Sequence, residues 1–313
     1  MSLPFNYSTS LGTTTLPNPI LTASGCAGSG KELAQFFPLT ELGAIVTKSI
    51  MLKPRSGRAT PRMAETPSGM LNAIGLQGPG LDLFIENDLP WLADQGARTI
   101  VSIAGETVED YAVLARRIRT QPGVVGIEVN ISCPNVENRG LVFACHPDTA
   151  RAAMEAVRRN VGGDMPIIAK LSPDVTDIVQ IARTVVDAGA DGVALINTLL
   201  GMVIDTRTMR PRLAQKTGGL SGPAIRPVAV RAVYQVREAL PNLPIVGMGG
   251  ITSGQDALEF VLAGAQAISI GTSTFGDPQA ATRIKSELET LLIERGFSSF
   301  SDAVGYAHRA ENV

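Results

Sequence analysis

The chain has 313 residues, 27 Lys and Arg against 29 Asp and Glu, a net charge of −2, and 44% hydrophobic content. That apolar fraction with so little net charge excludes a disordered chain. The absence of a basic excess or of aromatic-plus-basic stripes argues against nucleic-acid binding. Three cysteines (Cys26, Cys133, Cys145) without a CxxC pair make neither a disulfide framework nor a zinc site, and two histidines (His146, His308) cannot build a histidine-rich metal centre. No basic n-region precedes an apolar run at the N-terminus, and no stretch reaches the 18 or so apolar residues that a membrane helix needs. A cytoplasmic protein of a reducing compartment, with no membrane association, is expected.

Eight short apolar runs recur in chain order: 20–24 (ILTAS), 44–49 (AIVTKS), 99–104 (TIVSIA), 126–132 (GIEVNIS), 166–172 (PIIAKLS), 192–198 (GVALINT), 244–250 (PIVGMGG) and 267–272 (AISIGT). Their length and Val/Ile/Leu content fit parallel strands buried on both faces. Amphipathic stretches at 108–120, 147–161, 177–189, 226–240, 254–264 and 278–296 read as helices, several opening at Pro or Asp and closing at Gly. Eight alternating units predict an α/β fold, a closed (β/α)8 TIM barrel, as one domain over residues 1–313. An open doubly wound sheet is the alternative, but Gly25, Gly28 and Gly30 after the first run miss the GxGxxG spacing. Two connections, 50–80 and 199–224, are too long for ordinary loops and follow strand C-terminal ends, where barrel enzymes place their sites. The basic residues of the first, Lys53, Arg55, Arg58 and Arg62, read as a solvated surface.

The strand ends carry Ser24, Lys48, Ser49, Ser102, Asn130, Lys170, Asn197, Thr198, Gly249, Gly250, Gly271 and Thr272. Two lysines at the tips of barrel strands call for an anionic or electron-rich partner, and asparagines beside them suit a planar polar ligand with a carboxylate or phosphate. Glycines after the seventh and eighth strands let backbone N–H groups approach phosphate oxygens, as for a phosphorylated ligand such as FMN. Cys133, in the turn NISCPN beside Asn130 and Asn135, could act as a general base if a cation or loop N–H groups stabilise its thiolate. Cys26 reads as packing, and the adjacency of Cys145 and His146 as chance.

These segments, with ETPSGMLNAIGLQ (65–77), NISCPNV (130–136), GGLSGPAIRP (218–227) and GMGGI (247–251), resemble the dihydroorotate dehydrogenases, in particular their NAD-linked class 1B catalytic subunits, over nearly the whole chain. The resemblance implies an FMN-binding barrel that oxidises dihydroorotate to orotate in pyrimidine synthesis. It makes Cys133 the base. It assigns the FMN shell to Ser24, Lys48, Ser49, Ser102, Asn130, Lys170, Ile196, Gly222, Gly249, Gly250, Gly271 and Thr272. The pyrimidine is assigned to Lys48, Asn72, Ala73, Ile74, Gly75, Leu76, Asn130, Asn135, Asn197 and Thr198. It also implies a partner electron-transfer subunit carrying FAD and a 2Fe–2S cluster, in a heterotetramer of two catalytic and two electron-transfer chains around a catalytic homodimer. A class 1A-like homodimer linked to fumarate, a dihydropyrimidine dehydrogenase-like subunit, and a non-catalytic barrel are the competing readings. Two departures stand out. Ser102 takes a place where relatives commonly have Asn, and the loop 137–147 reads ENRGLVFACHP, with Glu137 and Ala144.

Overall fold

The computed structural model describes residues 5–131 and 146–309. Eight parallel strands form one sheet: β1 (Ile20–Thr22), β2 (Ile45–Val46), β3 (Thr99–Ile103), β4 (Val124–Asn130), β5 (Ile167–Lys170), β6 (Gly192–Leu195), β7 (Ile245–Met248) and β8 (Ala267–Ile270). Each strand pairs with its neighbours in sequence, and β8 pairs with β1. The circle closes at the β1–β2 seam through the Leu21–Ala44 bridge. Closure rules out the open doubly wound sheet, and all eight predicted strands are present.

Helices return the chain between strands: α1 (Leu89–Asp94), α2 (Val108–Ile118), α3 (Pro147–Val161), α4 (Ile178–Asp187), α5 (Arg226–Ala239), α6 (Gly254–Ala263) and α7 (Ala280–Glu294). Their ends follow local chemistry. Thr107 and Asp110 make a reciprocal capping box on α2, Ser253 and Asp256 do so on α6, and Asp177 accepts from Val179 and Gln180 N–H on α4. α3 starts at Pro147 and stops at Gly162, which has positive φ. After β1 no α-helix forms. Two 3₁₀ turns (Leu33–Gln35 and Leu39–Glu41) replace it, because Pro38 lacks an N–H and holds the preceding Phe37 away from helical backbone.

The seam is held partly by a side chain. Thr22 Oγ1 donates to Val46 O (3.0 Å) and accepts from Val46 N (2.8 Å), while Gly43 N donates to Ile20 O (2.8 Å). A Cβ on Gly43 would lie 2.2 Å from Asn18 O and 3.1 Å from Ile20 O, backbone atoms that cannot rotate aside. Gly43→Ala is therefore expected to destabilise the barrel by about 3 kcal/mol or more, read as a fall of several degrees in the thermal midpoint.

An unpredicted hairpin, Thr9–Leu11 with Thr14–Leu16, plugs the end of the barrel opposite the strand C-termini. Leu11 and Leu16 are fully buried against Leu21, Val46, Ile100, Ile168 and Val246. Gly12, at φ 56°, supplies the turn that L side chains disfavour.

At the other end the two long connections meet. Met63–Thr66, Gly69–Asn72, Thr217–Ser221 and Leu199–Met202 form an antiparallel sheet that roofs the strand C-termini, with Gly219 paired to Asn72 on one side and to Leu200 on the other. Three of the four basic residues read as solvated are engaged here. Arg55 pairs with Glu106 (2.5 Å), and Arg58 Nη1 donates to Gln215 Oε1 (2.6 Å). Arg62 reaches Gln77 Oε1 (2.7 Å), Ser56 O (3.0 Å) and Arg58 O. Lys53 alone of the four is exposed. Multiple donors on one guanidinium explain why arginines, rather than the lysine, tie the loop down.

Candidate active site

Between roof and strand tips lies a cavity of about 620 Å3. Of the residues singled out from the sequence, the strand-tip set Ser24, Lys48, Ser49, Asn130, Lys170, Ile196, Asn197 and Thr198 lines it. So do Gly222, Gly249, Gly250, Gly271 and Thr272 at one end, and Asn72, Ile74, Gly75 and Leu76 from the roof at the other. Ala73 is buried in the small core under the roof with Ala64, Leu71 and Leu213, and does not line the cavity. Ser102 is also off its surface, one layer below the floor. Cys133, Asn135 and Cys145 lie outside the described residues.

The floor is a buried polar chain. Lys170, 5% exposed, donates from Nζ to Ser24 Oγ (2.9 Å) and lies 3.9 Å from Glu128 Oε1. Ser102 Oγ donates to Glu128 Oε1 (2.8 Å) and sits 2.9 Å from Ser49 Oγ, which accepts from Asn130 Nδ2 (2.9 Å). Asn197 Nδ2 reaches Asn130 Oδ1 at 3.4 Å, and Tyr111 Oη donates to Asn130 O (2.9 Å). Strand alternation brings this set together: Glu128 and Asn130 are two residues apart on β4, so both face the barrel interior. Buried hydrogen-bonded polar groups of this kind fix side-chain orientation.

At the β7–β8 end, main chain replaces side chain. Gly222 (φ 95°), Gly249 (φ 125°) and Gly250 (φ 74°) have backbone conformations that L residues rarely adopt. A Cβ at Gly250 would meet Gly222 O at 2.7 Å, and one at Gly222 would meet Gly69 Cα at 2.6 Å. Thr272 Oγ1 donates to Ser221 Oγ (2.8 Å) across this end. The buried Ser273 hydroxyl has no hydrogen-bond partner among the described residues. A bare glycine cradle beside an unsatisfied buried hydroxyl fits an anionic oxygen-rich group such as a phosphate, and the cavity, which runs on to Lys170, has room for a ring system attached to it.

Two titratable groups here are perturbed. Burial pushes the Lys48 ammonium below the usual lysine range, helped by the nearby Arg62 charge and opposed by Cys26. Burial raises the Cys26 thiol to about 11, against the pull of Lys170 and Lys48, so it stays protonated at neutral pH. Cys26, read as packing, in fact lines the cavity. Also missed were Glu128, an acid inside an apolar run, and Ser273, Thr252, Phe275 and Met63. Period-two counting from Asn130 would have turned Glu128 inward.

The turn after β7 is held by Asp256, which accepts from Thr252 N (2.8 Å), Thr252 Oγ1 (2.6 Å) and Ser253 N (3.1 Å) and pairs with Arg226. Burial alone would raise its carboxyl, but these donors and Arg226 together hold it below the usual range.

The family model described as dihydroorotate dehydrogenase matches residues 7–292. A Desulforudis audaxviator protein named dihydroorotate dehydrogenase B (NAD(+)), catalytic subunit, is 52% identical over 295 residues, covering 94% of this chain and 95% of that protein. Relatives of the same name from Anoxybacillus flavithermus (51% over 290 residues, 93% of this chain and 92% of theirs) and Geobacter sp. strain M21 (51% over 288 residues, 92% and 93%) agree. The chain belongs to the dihydroorotate dehydrogenase family.

Proposed function

We propose that this protein oxidises (S)-dihydroorotate to orotate in pyrimidine synthesis, as the catalytic subunit of an NAD-linked enzyme. The reading is supported by one cavity that joins a phosphate-sized glycine cradle to a polar chamber of Lys48, Asn72, Asn130, Asn197 and Thr198, in a chain about half identical to relatives carrying that name. FMN is the group we assign to the cavity, and when bound it supplies the acceptor for the substrate hydride.

The chain's own residues then divide the work. Gly222, Gly249, Gly250, Gly271, Thr272 and Ser273 would hold the phosphate by backbone and hydroxyl donors. Lys170, anchored by Ser24, would present a positive charge to one edge of the ring. Lys48 would hold the substrate carboxylate, with Asn72, Asn130, Asn197 and Thr198 fixing the pyrimidine plane by donor–acceptor pairs. Cys133 is assigned the removal of the substrate proton, and Asn135 a further contact to the ring. Ile74 and Leu76 supply apolar wall to the chamber. No cluster of three or more metal-ligating side chains occurs among the described residues. We assign the onward electron path to a separate subunit with FAD and a 2Fe–2S cluster, in a two-plus-two assembly.

An absorbance spectrum tests the whole reading. The purified chain should show an oxidised-flavin band that orotate perturbs and uracil does not, and iron–sulfur absorbance should appear only when the neighbouring electron-transfer subunit is co-expressed. A colourless chain that takes up no FMN, or a flavin that answers to uracil alone, would overturn it.

A further inference from the structure

We infer that Glu128 is a positioning residue for the flavin site: the counter-charge that sets how much of the Lys170 ammonium the ring experiences, and the acceptor that orients Ser49 and Asn130. This deepens the reading above and rests on it. The side chain of Glu128 is 4% exposed and that of Lys170 is 6% exposed, with 3.9 Å between Oε1 and Nζ. Removing a carboxylate from water inside a barrel is costly, and a buried ion pair of this kind is often no more stabilising than a pair of apolar residues of similar volume. What the pair brings to this place is charge beneath the cavity floor.

The hydrogen-bond directions lead to the same residue. A serine hydroxyl has one proton to give. Ser102 spends its proton on Glu128 Oε1, so the 2.9 Å contact between Ser102 and Ser49 must run with Ser49 as donor. Ser49 in turn accepts from Asn130 Nδ2, which turns Asn130 Oδ1 towards Asn197. The chain Asn130 to Ser49 to Ser102 to Glu128 has a single sense, and an acceptor-only carboxylate at its end fixes it. Ser102 is the link that makes this relay through hydroxyls. Glu128 itself does not line the cavity, so it acts through Lys170, Ser49 and Asn130 rather than by contact.

The test uses the FMN-loaded protein and its two-electron midpoint potential, measured against reference dyes. Glu128→Gln removes the carboxylate 3.9 Å from the Lys170 ammonium and favours the extra negative charge of the reduced ring. The expected rise is about tenfold in the oxidised–reduced equilibrium, or about 30 mV for a two-electron couple. Lys170→Met should move the potential the opposite way by a similar factor. Glu128→Asp keeps the charge and should stay within about threefold of the parent.

If Lys170→Met shifts the potential and Glu128→Gln does not, the inference about Glu128 fails and the flavin reading stands. If neither shifts it, the placement of the ring beside Lys170 fails, and this inference with it. An Asp variant that moves as far as the Gln variant would show that geometry, not charge, is responsible, and would also overturn the proposal. Should Glu128→Gln not fold, Ser102→Ala takes its place. Without that donor the carboxylate pairs more fully with Lys170, and the potential should fall by about threefold in equilibrium terms. An unchanged potential in that variant overturns the role.

Discussion

Cys133→Ala is expected to leave the protein yellow and to slow dihydroorotate-driven bleaching of the flavin by about 10²–10⁴-fold, the usual worth of a positioned general base. Stopped-flow reduction under anaerobic conditions separates this from a binding defect, because orotate should still perturb the variant's spectrum. An unperturbed thiol is only a few per cent ionised at neutral pH, so the site must favour its thiolate if Cys133 is the base. The contrast with Cys26 is instructive. That thiol lines the same cavity, yet burial raises it to about 11, which makes it inert at neutral pH. Cys26→Ala should therefore bleach at close to the parent rate. If the two variants behaved alike, the assignment of the base to Cys133 would be wrong.

Lys48→Met should weaken orotate binding by about 30- to 150-fold, the equivalent of about 2–3 kcal/mol for a charge-assisted hydrogen bond to a carboxylate, while FMN stays bound. The same residue sets an alkaline limit. Its folded-state value lies below the ordinary 10.5 because burial, followed by Arg62, disfavours the ammonium. Raising the pH through that depressed value removes the cation that meets the substrate carboxylate, so affinity for orotate falls as pH rises and is intact on the acid side. Titrating orotate binding between about pH 7 and about pH 10 should show the loss beginning earlier than a free lysine would allow. A loss of affinity that begins no earlier in the parent than in Lys48→Met would show that Lys48 does not set this limit.

The barrel was legible because its strands are short Val/Ile-rich runs with polar tips, and burial on both faces leaves that signature wherever it occurs. The cradle was legible too, since Gly249, Gly250 and Gly271 sit immediately after two of those runs. The roof was not. Gly69–Asn72 and Thr217–Ser221 are glycine-rich, half-polar segments whose pairing partners lie far away in sequence, so no local alternation marks them. The N-terminal hairpin escaped for a similar reason, each arm offering only three residues and one fully buried leucine. Arg55, Arg58 and Arg62 read as solvent-facing because charge alone does not reveal the carbonyls and amides that await it in a folded loop. Glu128 is the most telling miss, an acid whose direction was set by strand parity and whose partners come from β3 and β5.

The ceiling over the chamber also dictates when the chamber can exist. Asn72 and Gly219, which hydrogen-bond within it, stand 147 residues apart, and β6 ends at Leu195 before the second contribution has even begun. During synthesis, six strands must therefore emerge before that half of the vault is available, and pairing so remote is slow to form. The cradle comes later still, from Gly249 to Ser273, so a nucleotide cofactor will find its enclosed berth only once translation has passed Ser273, well after the roof strand that ends at Ser221.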